Sequence, residues 1–198
     1  MKFWFFYFPT ILFFTACEIK EKPIVDTYVQ MIWNNGNPNV VFEYFNNERT
    51  QYKKKKYFEN GILALSEDYE QHVLNGKIST FYIDGKKQLE VNYQNGLRNG
   101  KALNWYESGS LKEEAEYDKG KLISFEKFYE NGQSQGKVSI EDGALNGESI
   151  YFYENGSVYR KGYWKNELKH GNWMTYDENS NLEYTEVYEN GNFIKALK

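Results

Sequence analysis

The chain is poor in the residues that build most catalytic and metal sites. It has one cysteine, two histidines and three prolines in 198 residues. A lone thiol excludes a disulfide framework. His72 and His170 stand far apart with no Cys partner beyond Cys17, so neither paired-His nor His-Cys metal spacing occurs. Excess positive charge is also lacking: the net charge is −4, against the basic stripe that a nucleic-acid groove needs to displace counterions from phosphates. The same balance gives no general attraction to anionic lipid. The one basic run, Lys53-Lys54-Lys55-Lys56, reads as a solvated strand face or a guarded edge. No helical period of useful length runs through the chain after its N-terminus, and no G-x-S-x-G, P-loop or Rossmann fingerprint is present. Glu59, Glu130, Glu154 and Glu189 recur too regularly for an acid–base pair and mark a solvated turn position. These absences point away from an enzyme and imply no cofactor.

What the chain has in quantity is aromatic residues, 19% of the total, together with 16 glycines. Tyr and Phe suit the half-buried surface of a strand, and Gly punctuates turns. The mixture predicts an all-β protein of short strands.

The N-terminus has the grammar of an export signal. Met1-Lys2 precedes the apolar run Phe3 to Phe14, then Thr15-Ala16-Cys17. The run is too short to span a bilayer, which takes about 20 residues. Phe14-Thr15-Ala16-Cys17 resembles a lipobox, although Phe14 stands where Leu is usual. That resemblance implies cleavage before Cys17 and lipidation of its thiol, with the acyl chains as membrane anchor. The reading divides the chain into a signal at 1–16, a tether at 17–27 and a repeat array at 28–198, of which 28–56 is a divergent cap. It places the protein in the cell envelope.

The repeat is the strongest signal. Aromatic residues three places before a Gly or Asn recur at Trp33, Phe58, Tyr82, Tyr106, Tyr129, Tyr153 and Tyr176, every 23 to 25 residues. A second series, half a period out of phase, runs through Tyr69, Tyr93, Tyr117, Ile140, Trp164 and Tyr188. Asn-Gly suggests two-residue type I′ hairpin turns, with turn glycines at Gly61, Gly85, Gly109, Gly132, Gly156 and Gly191. Longer loops, such as Lys165 to His170, are expected at the opposite side, ending in Gly76, Gly100, Gly147 and Gly171. Both histidines fall in such loops, and Asn179 stands where the last of the aromatic-led turns lacks its Gly. Between turns the residues alternate: Leu89, Val91 and Tyr93 on one face, Gln88, Glu90 and Asn92 on the other, with Leu63, Leu65 and Tyr69, and Leu111, Ala115 and Tyr117, behaving alike. About seven hairpins stacked this way predict an elongated, twisted antiparallel sheet in which each unit leans on its neighbours.

Units of aromatic-Glu-Asn-Gly, a strand ending in Tyr or Trp, and a segment ending in Gly resemble the bacterial MORN-repeat variants, including YwqK-type antitoxins. The best match runs from Tyr153-Glu154-Asn155-Gly156 to His170-Gly171-Asn172-Trp173. The resemblance covers 57–193 well and 28–56 loosely. It implies a hairpin sheet used for contacts with proteins or membranes, and no particular ligand. The antitoxin label implies a cytoplasmic protein beside its toxin, which the export signal contradicts. The expected function is therefore a non-enzymatic envelope lipoprotein whose sheet binds a protein partner. A toxin-neutralising role and glycan binding on an aromatic row are the alternatives.

Overall fold

A computed structural model describes residues 22–198. The signal, Cys17 and the first part of the tether lie outside the described residues. Fifteen strands form one antiparallel sheet in sequence order, with every strand hydrogen-bonded to the next. They are β1 (Asp26–Ile32), β2 (Pro38–Tyr44), β3 (Gln51–Tyr57), β4 (Leu63–Glu70), β5 (Val73–Phe81), β6 (Lys87–Gln94), β7 (Leu97–Trp105), β8 (Leu111–Asp118), β9 (Lys121–Phe128), β10 (Ser134–Glu141), β11 (Ala144–Phe152), β12 (Val158–Lys165), β13 (Leu168–Tyr176), β14 (Leu182–Glu189) and β15 (Asn192–Leu197). The expected all-β array of stacked hairpins is the observed fold.

The two kinds of connection are the reverse of what Asn-Gly suggested. In the loop after β3, the Phe58 N–H donates to the Ile62 carbonyl at 2.8 Å and the Gly61 N–H to the Phe58 carbonyl at 2.9 Å. Gly61 alone has positive φ, +84°. This is a three-residue loop, a type I turn closed by a left-handed residue. The same pair of bonds closes the loops led by Trp33, Tyr82, Tyr106, Tyr129 and Tyr153. The type I′ turns lie on the other rim, where longer loops were expected. Both central residues have positive φ at Gln71-His72, Asn95-Gly96, Lys119-Gly120, Asp142-Gly143, Asn166-Glu167 and Asn190-Gly191. Of the six turn glycines read from sequence, Gly61, Gly85, Gly109, Gly132 and Gly156 close three-residue loops, and Gly191 belongs to a type I′ turn.

Three further corrections follow from the same geometry. Gly76, Gly100, Gly147 and Gly171 do not end loops: all lie inside strands, with φ between +69° and +124°. Register shifts flank each one, so they are bulge residues. In the loop after β13, Ser180, not Asn179, takes the left-handed place, with φ +67° and its N–H on the Asp177 carbonyl. Alternation also breaks at the bulged strand starts. Leu63 pairs with Tyr57 while Leu65 pairs with Lys56, and Leu111 pairs with Trp105, so neither continues the row of its strand.

The central registers carry the alternation across the sheet. Ile78, Val91, Ala102, Ala115, Phe125, Val138, Ser149 and Gly162 pair in succession and form one row on one face. The neighbouring row, on the opposite face, runs Ser79, Glu90, Leu103, Glu114, Glu126, Lys137, Ile150 and Lys161. The first row supplies Val91 and Ala115 to the small core and also holds the buried Ser149. The second carries ion pairs: Lys77–Glu90 at 2.9 Å, Lys101–Glu114 at 2.6 Å and Lys137–Glu126 at 3.3 Å. Such exposed pairs contribute little each, but they keep this face solvated.

Candidate interaction surface

The repeated residues bind one unit to the next along both rims. On the rim of three-residue loops, each leading tyrosine donates its hydroxyl to a backbone carbonyl one unit on. Tyr82 reaches Trp105 at 2.7 Å, Tyr106 reaches Phe128 at 2.9 Å, Tyr129 reaches Phe152 at 2.9 Å and Tyr153 reaches Tyr176 at 2.8 Å. Trp33 does the same to Tyr57 through its indole N–H. Phe58 has no donor, so the series skips that unit. The loop asparagines act on both sides: the Asn131 Oδ1 accepts from the Gln133 N–H at 2.9 Å, and its Nδ2 donates to the Glu154 carbonyl at 3.0 Å. Asn60 and Asn155 repeat the pattern. The asparagine recurs for these bonds, since it does not need positive φ.

On the type I′ rim the backbone does this work. The Gly96 N–H donates to Leu74, Gly120 to Arg98, Glu167 to Leu145 and Gly191 to Lys169, at 2.8 to 2.9 Å. Asn75, Asn99 and Asn146 accept from the following turn through their Oδ1.

The densest packing surrounds Trp173, which is 1% exposed although no second layer covers the sheet. Its ring lies over Gly162, where an added Cβ would come within 2.5 Å of the indole Cε2. Trp164 meets it edge-on at 5.1 Å, and the cations of Arg160 and Lys169 lie 5.2 and 5.0 Å from it. The indole N–H donates to the Tyr163 carbonyl at 3.2 Å. Sequence reading missed this cluster. Its signal was Gly162 standing in the row held elsewhere by Val91, Ala115 and Val138, eleven residues before a tryptophan.

Across the sheet from that cluster, on the charged face, β10 to β13 form a shallow groove of about 650 Å³. Lys137, Ser139, Glu148, Ile150, Lys161 and Tyr163 line it. Tyr163 is 42% exposed there. Along the same face the half-buried Phe81, Trp105, Phe128, Phe152 and Tyr176 stand at the strand ends, one per hairpin. Lys87 and Lys161 cover Trp105 and Tyr176 at 5.5 Å from the ring centres. Along this surface, charged residues of both signs thus alternate with aromatic ones.

The two histidines do not meet. His72 is the second residue of a type I′ turn with φ +63°, whereas His170 lies within β13 opposite Tyr163, against the loop placement expected of it. Among the described residues, no three His, Cys, Asp or Glu side chains are grouped so as to hold a metal ion. The shifted ionisations belong to structural bonds. Asp84, which takes the loop-asparagine place, has its carboxyl held below the usual value by the Lys86 N–H and ammonium. The Asn181 amide does the same for Asp177. Hydrogen bonds donated by the Arg98 guanidinium to the Tyr93 and Tyr117 hydroxyls raise the Arg98 pKa.

A single-layer sheet of hairpins with bonded rims defines the class: among the described residues, an all-β repeat protein. The family model of the MORN repeat variant matches residues 98–119, 145–166 and 169–191. These segments coincide with β7–β8, β11–β12 and β13–β14, three of the hairpins closed by three-residue loops. No curated protein matches the chain.

Proposed function

We propose that the chain is a non-enzymatic interaction module of the cell envelope, tethered through a lipidated Cys17, whose charged face holds a protein partner in the groove of β10 to β13. The observation that carries the reading is the single open layer. Only Val40, Val41, Val91, Ala115 and Trp173 are buried apolar side chains among the described residues. A sheet that leaves both faces to solvent offers broad contact area and no enclosed cavity for chemistry. The groove presents an exposed tyrosine, a residue enriched in protein interfaces, between lysines suited to a polar rim. The anchor rests on the charged start, the apolar run and the Thr15-Ala16-Cys17 junction. It divides the chain into signal 1–16, tether 17–27 and array 28–198.

Two experiments test the two halves of the proposal. Metabolic labelling with a fatty-acid analogue is expected to mark the wild type and not Cys17→Ser; equal label on both ends the lipoprotein reading. A photo-crosslinking residue in place of Tyr163, in cells producing the full chain, is expected to trap one protein whose capture fails when Lys137 and Lys161 are changed to Glu. A trapped toxin would make the role antitoxin-like. Retention on polysaccharide with no trapped protein would move the surface to the glycan reading.

A further inference from the structure

The sheet has two outer strands, and they are guarded differently. β15 carries Lys195 within it and Lys198 just beyond, the charges that commonly keep an edge from pairing. β1 carries no charge from Thr27 to Ile32, and Asp26 at its start is occupied by Arg49. Along β1, Tyr28, Val29, Met31 and Ile32 are 50%, 44%, 55% and 64% exposed. Among the described residues, β1 is hydrogen-bonded only to β2, so its outer row of N–H and C=O groups faces away from the sheet. An uncharged, proline-free run on such an edge is a template for another strand, above all from Thr27 to Val29, where β1 keeps regular register with β2 before its bulge at Gln30.

We infer that this edge pairs with the same edge of a second copy. The symmetry follows from the faces. Joining β1 of one copy to β15 of the next in antiparallel fashion requires turning the second copy over. That sets its apolar row against the first copy's charged row. A twofold axis normal to the sheet reverses β1 against β1 and leaves each face on its own side. The two sheets then continue as one, with the paired Tyr28 and Phe42 of both copies on the same face. With the axis at Tyr28 or Val29, Asp26 lies far from its own symmetry mate, so no like charges face each other. The pairing is closed, as isologous contacts are, and stops at two copies. The chain before β1 suits it as well. The Asp26 ends of the two copies stand on the order of 20 Å apart, and the nine-residue step from Cys17 to Asp26 spans up to about 30 Å. Both copies therefore reach a common surface, although the pairing does not depend on the anchor.

Cysteine cross-linking tests this directly, because Cys17 is the only native thiol. In the full chain carrying Cys17→Ser, one cysteine is introduced at a time as Tyr28→Cys, Val29→Cys or Ile194→Cys. Whole cells producing each chain are then oxidised with copper phenanthroline and their extracts run without reductant. A residue on the axis faces itself at a Cα distance of about 4.5 to 5.5 Å, within disulfide range. A dimer is expected at position 28 or 29, reversed by dithiothreitol and lost when Thr27→Lys is added to the same chain. No dimer is expected at position 194 of β15. The inference is overturned by monomer at both β1 positions, by equal dimer at position 194, or by an adduct whose mass is that of a different protein.

Discussion

The two rims of the ribbon solve the same problem with different chemistry. Each must bond one hairpin to the next. The three-residue-loop rim uses side chains, the Tyr hydroxyls and Asn amides. The type I′ rim uses mainly backbone N–H groups of the turns themselves. The difference shows in the sequence. Loop words barely change from Phe58-Glu59-Asn60-Gly61 to Tyr153-Glu154-Asn155-Gly156, whereas the opposite turns read Gln71-His72, Lys119-Gly120, Asp142-Gly143 or Asn166-Glu167. Where the bond comes from a side chain, the residue is fixed; where it comes from the backbone, several residues serve.

The largest effect is expected between the rims, where neither can compensate. Gly162→Val drives a branched side chain into the Trp173 ring, which Trp164, Arg160 and Lys169 hold from other sides. Overpacking of this kind costs about 3 kcal/mol. Thermal melts should show the loss, and the emission of the buried Trp173 should shift to the red as its ring is exposed. Gly162→Ala with Trp173→Leu is expected to recover part of it.

Gly156→Val breaks the side-chain rim at one of its three-residue loops. The position has φ +86°, where a β-branched residue costs on the order of 1–2 kcal/mol. Units lean on their neighbours, so hydrogen exchange should quicken first across residues 145–170 and later across 82–106. Uniform loosening would show that the rims do not act unit by unit.

Tyr129→Phe removes one rung and leaves the ring. The Phe152 carbonyl loses its 2.9 Å donor, an expected cost of about 1 kcal/mol. On the other rim, Glu167→Gly keeps the backbone bond to Leu145 and relieves a non-glycine φ of +64°. It should leave stability unchanged or raise it by about 0.5 kcal/mol. Denaturant midpoints of the two variants, moving in opposite directions, would sharpen the contrast between the rims. Equal losses would end it.

The smallest effects concern charge. Asp84 has a folded pKa below its usual value because it accepts from Lys86. Its stabilisation is therefore full above the ordinary aspartate pKa and disappears as pH falls through the lower folded value. Asp84→Asn should retain the loop bond and remove that acid dependence, as measured by melts between neutral and acid pH. Glu154→Gln should stay within roughly 0.5 kcal/mol. Only the Glu154 backbone carbonyl is bonded, to Asn155's equivalent one unit earlier, Asn131. A lost activity in Glu154→Gln would reveal chemistry in these carboxylates.

Fold and period were legible because both come from local rules: alternating residues make strands, and recurrent glycines mark reversals. Turn type was misread because Asn-Gly is shared by two loop geometries. In a type I′ turn such as Asn95-Gly96, both residues are left-handed; in Asn60-Gly61, only the glycine is. What distinguishes them is how the flanking strands pair, with the Phe58 N–H closing on Ile62 around the second, and the dipeptide alone does not show that. The bulges at Gly76 and Gly100 were read as loop ends for the same reason, since a left-handed glycine looks alike in a turn and in a bulged strand. The groove at Tyr163 was beyond sequence reading altogether. Lys137, Glu148 and Lys161 meet there through pairings of three strands.

The sequence by itself determined the all-strand character, the 23 to 25 residue period and the apolar row, because these depend on side-chain character at fixed spacing. Only the tertiary structure decided which rim takes which turn, why the loop residue is Asn, and that Trp173 needs Gly162 beneath it. Each of those is a contact between residues a strand or a whole unit apart, and its energy exists only once the hairpins are stacked.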